Sequence, residues 1–122
     1  MNRVLVIDQN RAATRAMGLA CLERDLGVAI AENLCEGVRV LLSTPVDLIV
    51  VDSAEMRLTA REIATLFDRV APQVPVVVAM RSPAALDQRV TFELAGFRVI
   101  TKPVSVEDLL DKMPSCAPAN RV

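Results

Sequence analysis

The chain has no histidine, no tryptophan and no tyrosine, and three phenylalanines are its only aromatic residues. Without imidazole, histidine-containing zinc sites and imidazole acid–base catalysis are excluded. The scarcity of rings argues against base stacking, and 14 basic against 15 acidic residues, mixed along the chain, leave no basic stripe for nucleic acid. No apolar run approaches the roughly 18 residues of a membrane span. The start, "MNRVLVIDQN", carries one basic residue and a short apolar run, too little for a signal peptide, so the protein is read as cytoplasmic. Glycine is missing from "DQNRAATRA", so no phosphate-cradling loop follows the first apolar run, which argues against nucleotide or flavin binding. The three cysteines, Cys21, Cys35 and Cys116, form no CxxC. Cys21 and Cys35 fall in helical patterns and read as small buried hydrophobes rather than metal or redox sites.

What is present is alternation. At 122 residues the chain is most simply one domain, here residues 1–114, with 115–122 ("CAPANRV" and its neighbour) as a tail or linker stub. Five apolar runs, 3–8, 28–31, 47–51, 75–79 and 98–101, alternate with five helical patterns. Three runs are continuously apolar and Val/Ile-rich, as strands are when helices cover both faces. Asn10 is placed to cap a first helix carrying Ala13, Met17 and Cys21, with Gly27 at its end. Leu34, Val38, Leu41 and Leu42 form a second stripe. Thr59 to Glu62 is a capping box ahead of Ile63, Leu66, Phe67 and Val70. Ser82-Pro83 starts a fourth helix with Leu86, Val90 and Leu94 as its apolar stripe and Gly96 as its stop. Ser105 opens a fifth, with Leu109 and Leu110, and Pro114 closes it. The expected fold is therefore α/β, a doubly wound five-stranded parallel sheet of order 2-1-3-4-5, flavodoxin-like.

In such sheets the site lies beyond the carboxyl ends of the strands. Asp8, Asp52 and Lys102 each close or follow an apolar run, where packing needs no charge. "VLVID", "DLIVVD" and "TKP", at this spacing, make residues 3–113 resemble the receiver domain of a two-component response regulator. The resemblance implies that Asp52 is the phosphoacceptor, taking a phosphoryl group from a sensor histidine kinase or phosphotransfer protein. It implies that Lys102 pairs with the acceptor and then with the phosphoryl group. It also implies that the bond before Pro103 is cis, and that Mg²⁺ is held by Asp8, Asp52 and the residue at position 9. Beyond self-catalysed phosphoryl transfer and dephosphorylation, no enzyme activity is expected.

The sequence departs from that family at several of these positions. The second acid after the first strand is replaced by Gln9, whose amide brings no charge, so Mg²⁺ binding is expected to be weak or absent. Met80 stands where the family has a hydroxyl and cannot donate a hydrogen bond. Arg81 stands where a small residue usually leaves access, Val99 occupies the aromatic switch position, and "DSAEM" replaces an apolar loop ending in proline. Two placements of Arg81 stay open: turned inward onto Asp52 or Asp8 in place of Mg²⁺, or solvated on the first turn of the fourth helix.

Two functions follow. One is an atypical receiver with weakened Mg²⁺-dependent phosphorylation, acting through protein–protein contacts. The other is a conventional phosphorylatable switch on Asp52. Either admits an effector domain, or a homodimer through the face formed by the fourth helix, fifth strand and fifth helix. No direct nucleic-acid or membrane contact is expected.

Overall fold

The computed structural model describes residues 2–55, 58–81 and 86–113. Five strands, β1 (Arg3–Ile7), β2 (Gly27–Ala31), β3 (Leu48–Asp52), β4 (Val76–Met80) and β5 (Arg98–Thr101), alternate with five helices. The helices are α1 (Arg11–Glu23), α2 (Leu34–Ser43), α3 (Ala60–Val70), α4 (Leu86–Leu94) and α5 (Val106–Lys112). All strand pairs are parallel and the order is β2-β1-β3-β4-β5, the doubly wound sheet expected from the alternation.

Side chains alternate across the pleat, so each central strand feeds two cores. Leu5, Ile7, Ile49, Val51, Val76 and Val78 face Ile63 and Phe67 of α3 and Phe92 of α4. Val4, Val6, Leu48, Val50, Val77 and Ala79 face Cys21 of α1 and Val106 and Leu109 of α5. The register Val6↔Val50 and Val50↔Val77 keeps the three central strands level, so their carboxyl ends form one rim.

The helix starts follow the capping residues. Asn10 accepts from the Ala13 amide, and Thr59 with Glu62, like Ser105 with Asp108, forms a reciprocal capping box. Gly96 ends α4 at positive φ, the left-handed geometry glycine adopts without steric cost.

Other expectations need correction. Gly27 does not end α1; the helix stops at Glu23, Asp25 takes the left-handed conformation, and Gly27 is already in β2. Cys35 is exposed, and Gly37 is the residue that α2 buries. Leu42 is exposed too. The α4 stripe is the largest difference: Leu86, Val90 and Leu94 face outward, at 72%, 42% and 84% exposure, while Phe92 is buried against Phe97. Ser82, Pro83, Pro114, Cys116, the 115–122 tail and the Met56 end of "DSAEM" lie outside the described residues.

Candidate functional site

The carboxyl ends of β1, β3 and β5 bring Asp8, Asp52 and Lys102 to one place. Asp8 directly follows β1, Asp52 is the last residue of β3, and Lys102 follows β5. Lys102 Nζ donates to Asp8 Oδ2 at 3.1 Å and lies 2.8 Å from Asp52 Oδ1, so a single ammonium bridges both acids. All three side chains are largely sheltered, at 11–25% exposure. Burial works against the ammonium, yet the hydrogen bonds and negative charges of Asp52 and Asp8 outweigh it. The net result is a Lys102 pKa above its ordinary value.

Backbone geometry holds these groups in register. The Lys102 amide donates to the Met80 carbonyl at 2.8 Å, carrying the β4–β5 ladder one residue past β5. The Lys102–Pro103 bond is cis. Asp8 Oδ1 accepts from the Asn10 amide at 2.9 Å, and Asn10 in turn caps α1. This second anchor makes Asp8 a turn former as well as a site residue, since an Asp two residues before a helix-capping Asn is the pattern of an Asx turn. Thr14 escaped the sequence reading: it is buried, lines the cleft, and satisfies its hydroxyl on the Arg11 carbonyl.

The remaining candidate positions divide by burial. Gln9 is exposed at the rim. Met80 and Val99 are buried in the core on the α3–α4 side of the sheet, so neither offers a hydrogen-bond donor to the site. Arg81 is exposed and borders the cleft, and among the described residues it forms no ion pair. The inward placement of Arg81 is thus not the one adopted; among the described residues Lys102 is the cation that pairs with the two acids, and the cluster keeps one net negative charge. Pro103 is also exposed on the cleft wall.

The cleft, about 870 Å³, extends from this charged end along the seam between α1 and α5. Its walls there are Ala13, Met17 and Ala20 on one side and Val104 and Val106 on the other. An Arg24–Glu107 ion pair links the end of α1 to the start of α5. Among the described residues no group of three or more histidine, cysteine, aspartate or glutamate side chains is placed to hold a metal ion. No helix among them is long and apolar enough to cross a membrane.

No protein-family model matches the chain. In sequence it is similar to the transcriptional regulatory protein GlrR of Escherichia coli K12, 26% identical over 120 residues. That match takes in 95% of this chain but only 27% of the relative's length. Among solved structures it resembles a response regulator protein from Burkholderia pseudomallei, crystallised with a phosphorylated aspartic acid, a calcium ion and citrate. The TM-score is 0.79 at 23% identity, over 94% of this chain and 68% of that one. It also resembles a CheY-like response regulator receiver domain from Methanospirillum hungatei JF-1, with TM-score 0.77 at 23% identity over 92% and 90% of the two chains.

Proposed function

We propose that this chain, which has the fold of response-regulator receiver domains, serves two-component signalling as an atypical receiver. Its Mg²⁺-dependent phosphorylation is weakened, and it acts through protein–protein contacts. The observation that carries this is what surrounds the Lys102–Asp8–Asp52 cluster: Gln9 at the rim is a neutral amide where a second acid would stand, and Met80 and Val99 are buried apolar side chains that offer the site no hydroxyl and no ring.

Moving a phosphoryl group onto Asp52 would gather several negative charges beside Asp8, and the site must neutralise them. Lys102 supplies one positive charge at the acceptor oxygen. Mg²⁺, when bound, would supply the rest, with Asp8 and Asp52 as carboxylate donors and Gln9 as a neutral amide donor. Mg²⁺ favours carboxylates, water and phosphate, and here it competes with Lys102 for both acids, so its affinity is low. The buried Met80 and Val99 leave no hydroxyl to grip the new group and no aromatic ring to reorient.

The alternative is a conventional receiver that accepts phosphate on Asp52 from a sensor histidine kinase. It is favoured by the short Lys102–Asp52 contact, which sets a positive charge beside the carboxylate that would be phosphorylated. In both readings the partners are a kinase or phosphotransfer protein, with an effector domain or a second copy on the α4–β5–α5 face. The exposed Leu86, Val90 and Leu94 suit that face to apolar docking.

Incubation with Mg²⁺ and a small acyl phosphate, followed by intact-mass measurement, separates the two. The atypical receiver yields little or no adduct. A near-complete adduct that Asp52→Asn abolishes establishes the conventional switch instead. The same measurement on Arg81→Ala reports whether the rim arginine hinders the donor.

A further inference from the structure

The geometry points to a second interface, distinct from the α4–β5–α5 face: two copies of this chain joined edge to edge through β2, forming one ten-stranded sheet. The two edges of the sheet differ. β5 opens with exposed Arg98, a charge on that edge that discourages pairing. β2 is "GVAIA", with no charge and no proline. Gly27 and Ala31 turn their backbone toward β1, since Gly27 N–H donates to Asn2 and the Ala31 carbonyl accepts from Asp8. By alternation, Val28 and Ile30 present N–H and C=O outward.

The apolar surface beside this edge continues onto α1. Ile30 is 45% exposed, Leu22 64% and Leu19 60%. Gly18 lies between them; a methyl group placed there would sit 3.8 Å from Ile30 Cδ1.

The occupant is argued from self-complementarity. A two-fold axis perpendicular to the sheet, midway between Ala29 and its mate, pairs Val28 with Ile30 of the second copy. Each such pair exchanges both of its outward hydrogen bonds and sets two β-branched side chains opposite one another. Gly18 is level with Ile30. A strand rises about 3.3 Å per residue and a helix about 1.5 Å, so the axis passes beside α1 at the level of Ala20. Counting outward from there, Leu22 of one copy meets the open surface at Gly18 of the other. Asp25 lies just past the end of α1, but its N–H bond to the Leu22 carbonyl ties it to the last turn, so this exposed acid stands near the level where the exposed Arg15 of the other copy falls. Hydrogen bonds, shape and charge therefore all match under the same symmetry.

Sedimentation equilibrium of the whole chain up to millimolar concentration tests this. The expected result is a concentration-dependent dimer. Ile30→Lys or Leu22→Glu, each checked for native circular dichroism, raises its dissociation constant by about tenfold or more. Leu22 is a solvent-facing helix position, so its variant keeps the fold if Ile30→Lys does not. Arg15→Asp and Asp25→Arg each weaken the dimer singly and together restore it. A chain that stays monomeric overturns the proposal. So does a dimer that Leu94→Glu on α4 dissociates while Ile30→Lys and Leu22→Glu leave it intact.

Discussion

Lys102 Nζ lies 2.8 Å from Asp52 Oδ1, and it is the same ammonium that donates to Asp8. Two acids drawn from different strands thus share one counter-ion in a sheltered cleft. Most of what can be tested about the site follows from that sharing.

Removing the cation should cost more than a surface charge would. Lys102→Met leaves Asp8 and Asp52 facing one another, largely out of solvent, with their partner gone. A loss of about 1–3 kcal/mol is expected for stranding such groups. Asp52→Asn added to that variant should return part of the loss by relieving the like-charge contact. Urea unfolding midpoints of the single and double variants check both statements.

The alkaline limb of stability should carry the same signature. Lys102 has a raised pKa in the folded chain, so folding favours its protonated form. The resulting stabilisation is fully present below the ordinary lysine value of 10.5 and disappears as pH climbs through the higher folded value. Unfolding free energy measured from pH 8 upward should therefore fall above about pH 10 more steeply in the parent than in Lys102→Met.

Gly37 marks where α2 approaches the sheet most tightly. A Cβ there would come within 2.5 Å of Ile7 Cδ1 and 3.0 Å of Cγ1, and Ile7 is fully buried, so it can give way only by shifting against other packed side chains. Gly37→Ala should destabilise by about 1–3 kcal/mol through overpacking, despite alanine's better helix propensity. A thermal scan in which the variant matched or exceeded the parent would contradict this account of the contact.

On α4 the burial assigns unequal weights to neighbours. Phe92→Ala should cost about 3–5 kcal/mol, because a buried ring is removed from its edge-on contact with Phe97. Leu94→Ala, at a residue 84% exposed, should stay within about 0.5 kcal/mol. Chemical denaturation of the pair provides the comparison.

That contrast also explains what the amino-acid order discloses and what it conceals. The strands were legible because β1, β3 and β4 are covered on both faces, so nearly every residue must be apolar; no choice of face is involved. The meeting of Asp8, Asp52 and Lys102 was legible because a charge ending such a run has no packing role. Helix faces were harder. Leu86, Val90 and Leu94 recur with helical spacing as a buried stripe would, yet spacing does not say which side meets the sheet. Phe92, paired with Phe97 beyond the helix end, decides that. Cys35 was misjudged for the same reason: one turn of α2 offers several small or apolar residues, and the close approach to Ile7 selects Gly37. The placement of Arg81 was beyond a sequence argument too, since a long side chain at a strand end reaches either the acids or the solvent with the same residue pattern.

The Lys102 amide is fastened to the Met80 carbonyl, so the lysine's backbone belongs to the sheet's hydrogen-bonded lattice rather than to a free connector. Its charged tip, by contrast, hangs on a flexible aliphatic tether. Whatever arrives at the two acids must be accommodated by that tether bending, while the point from which it hangs stays put. The cleft thus works like a fixed crane with a swinging hook, its reach set by the length of one side chain.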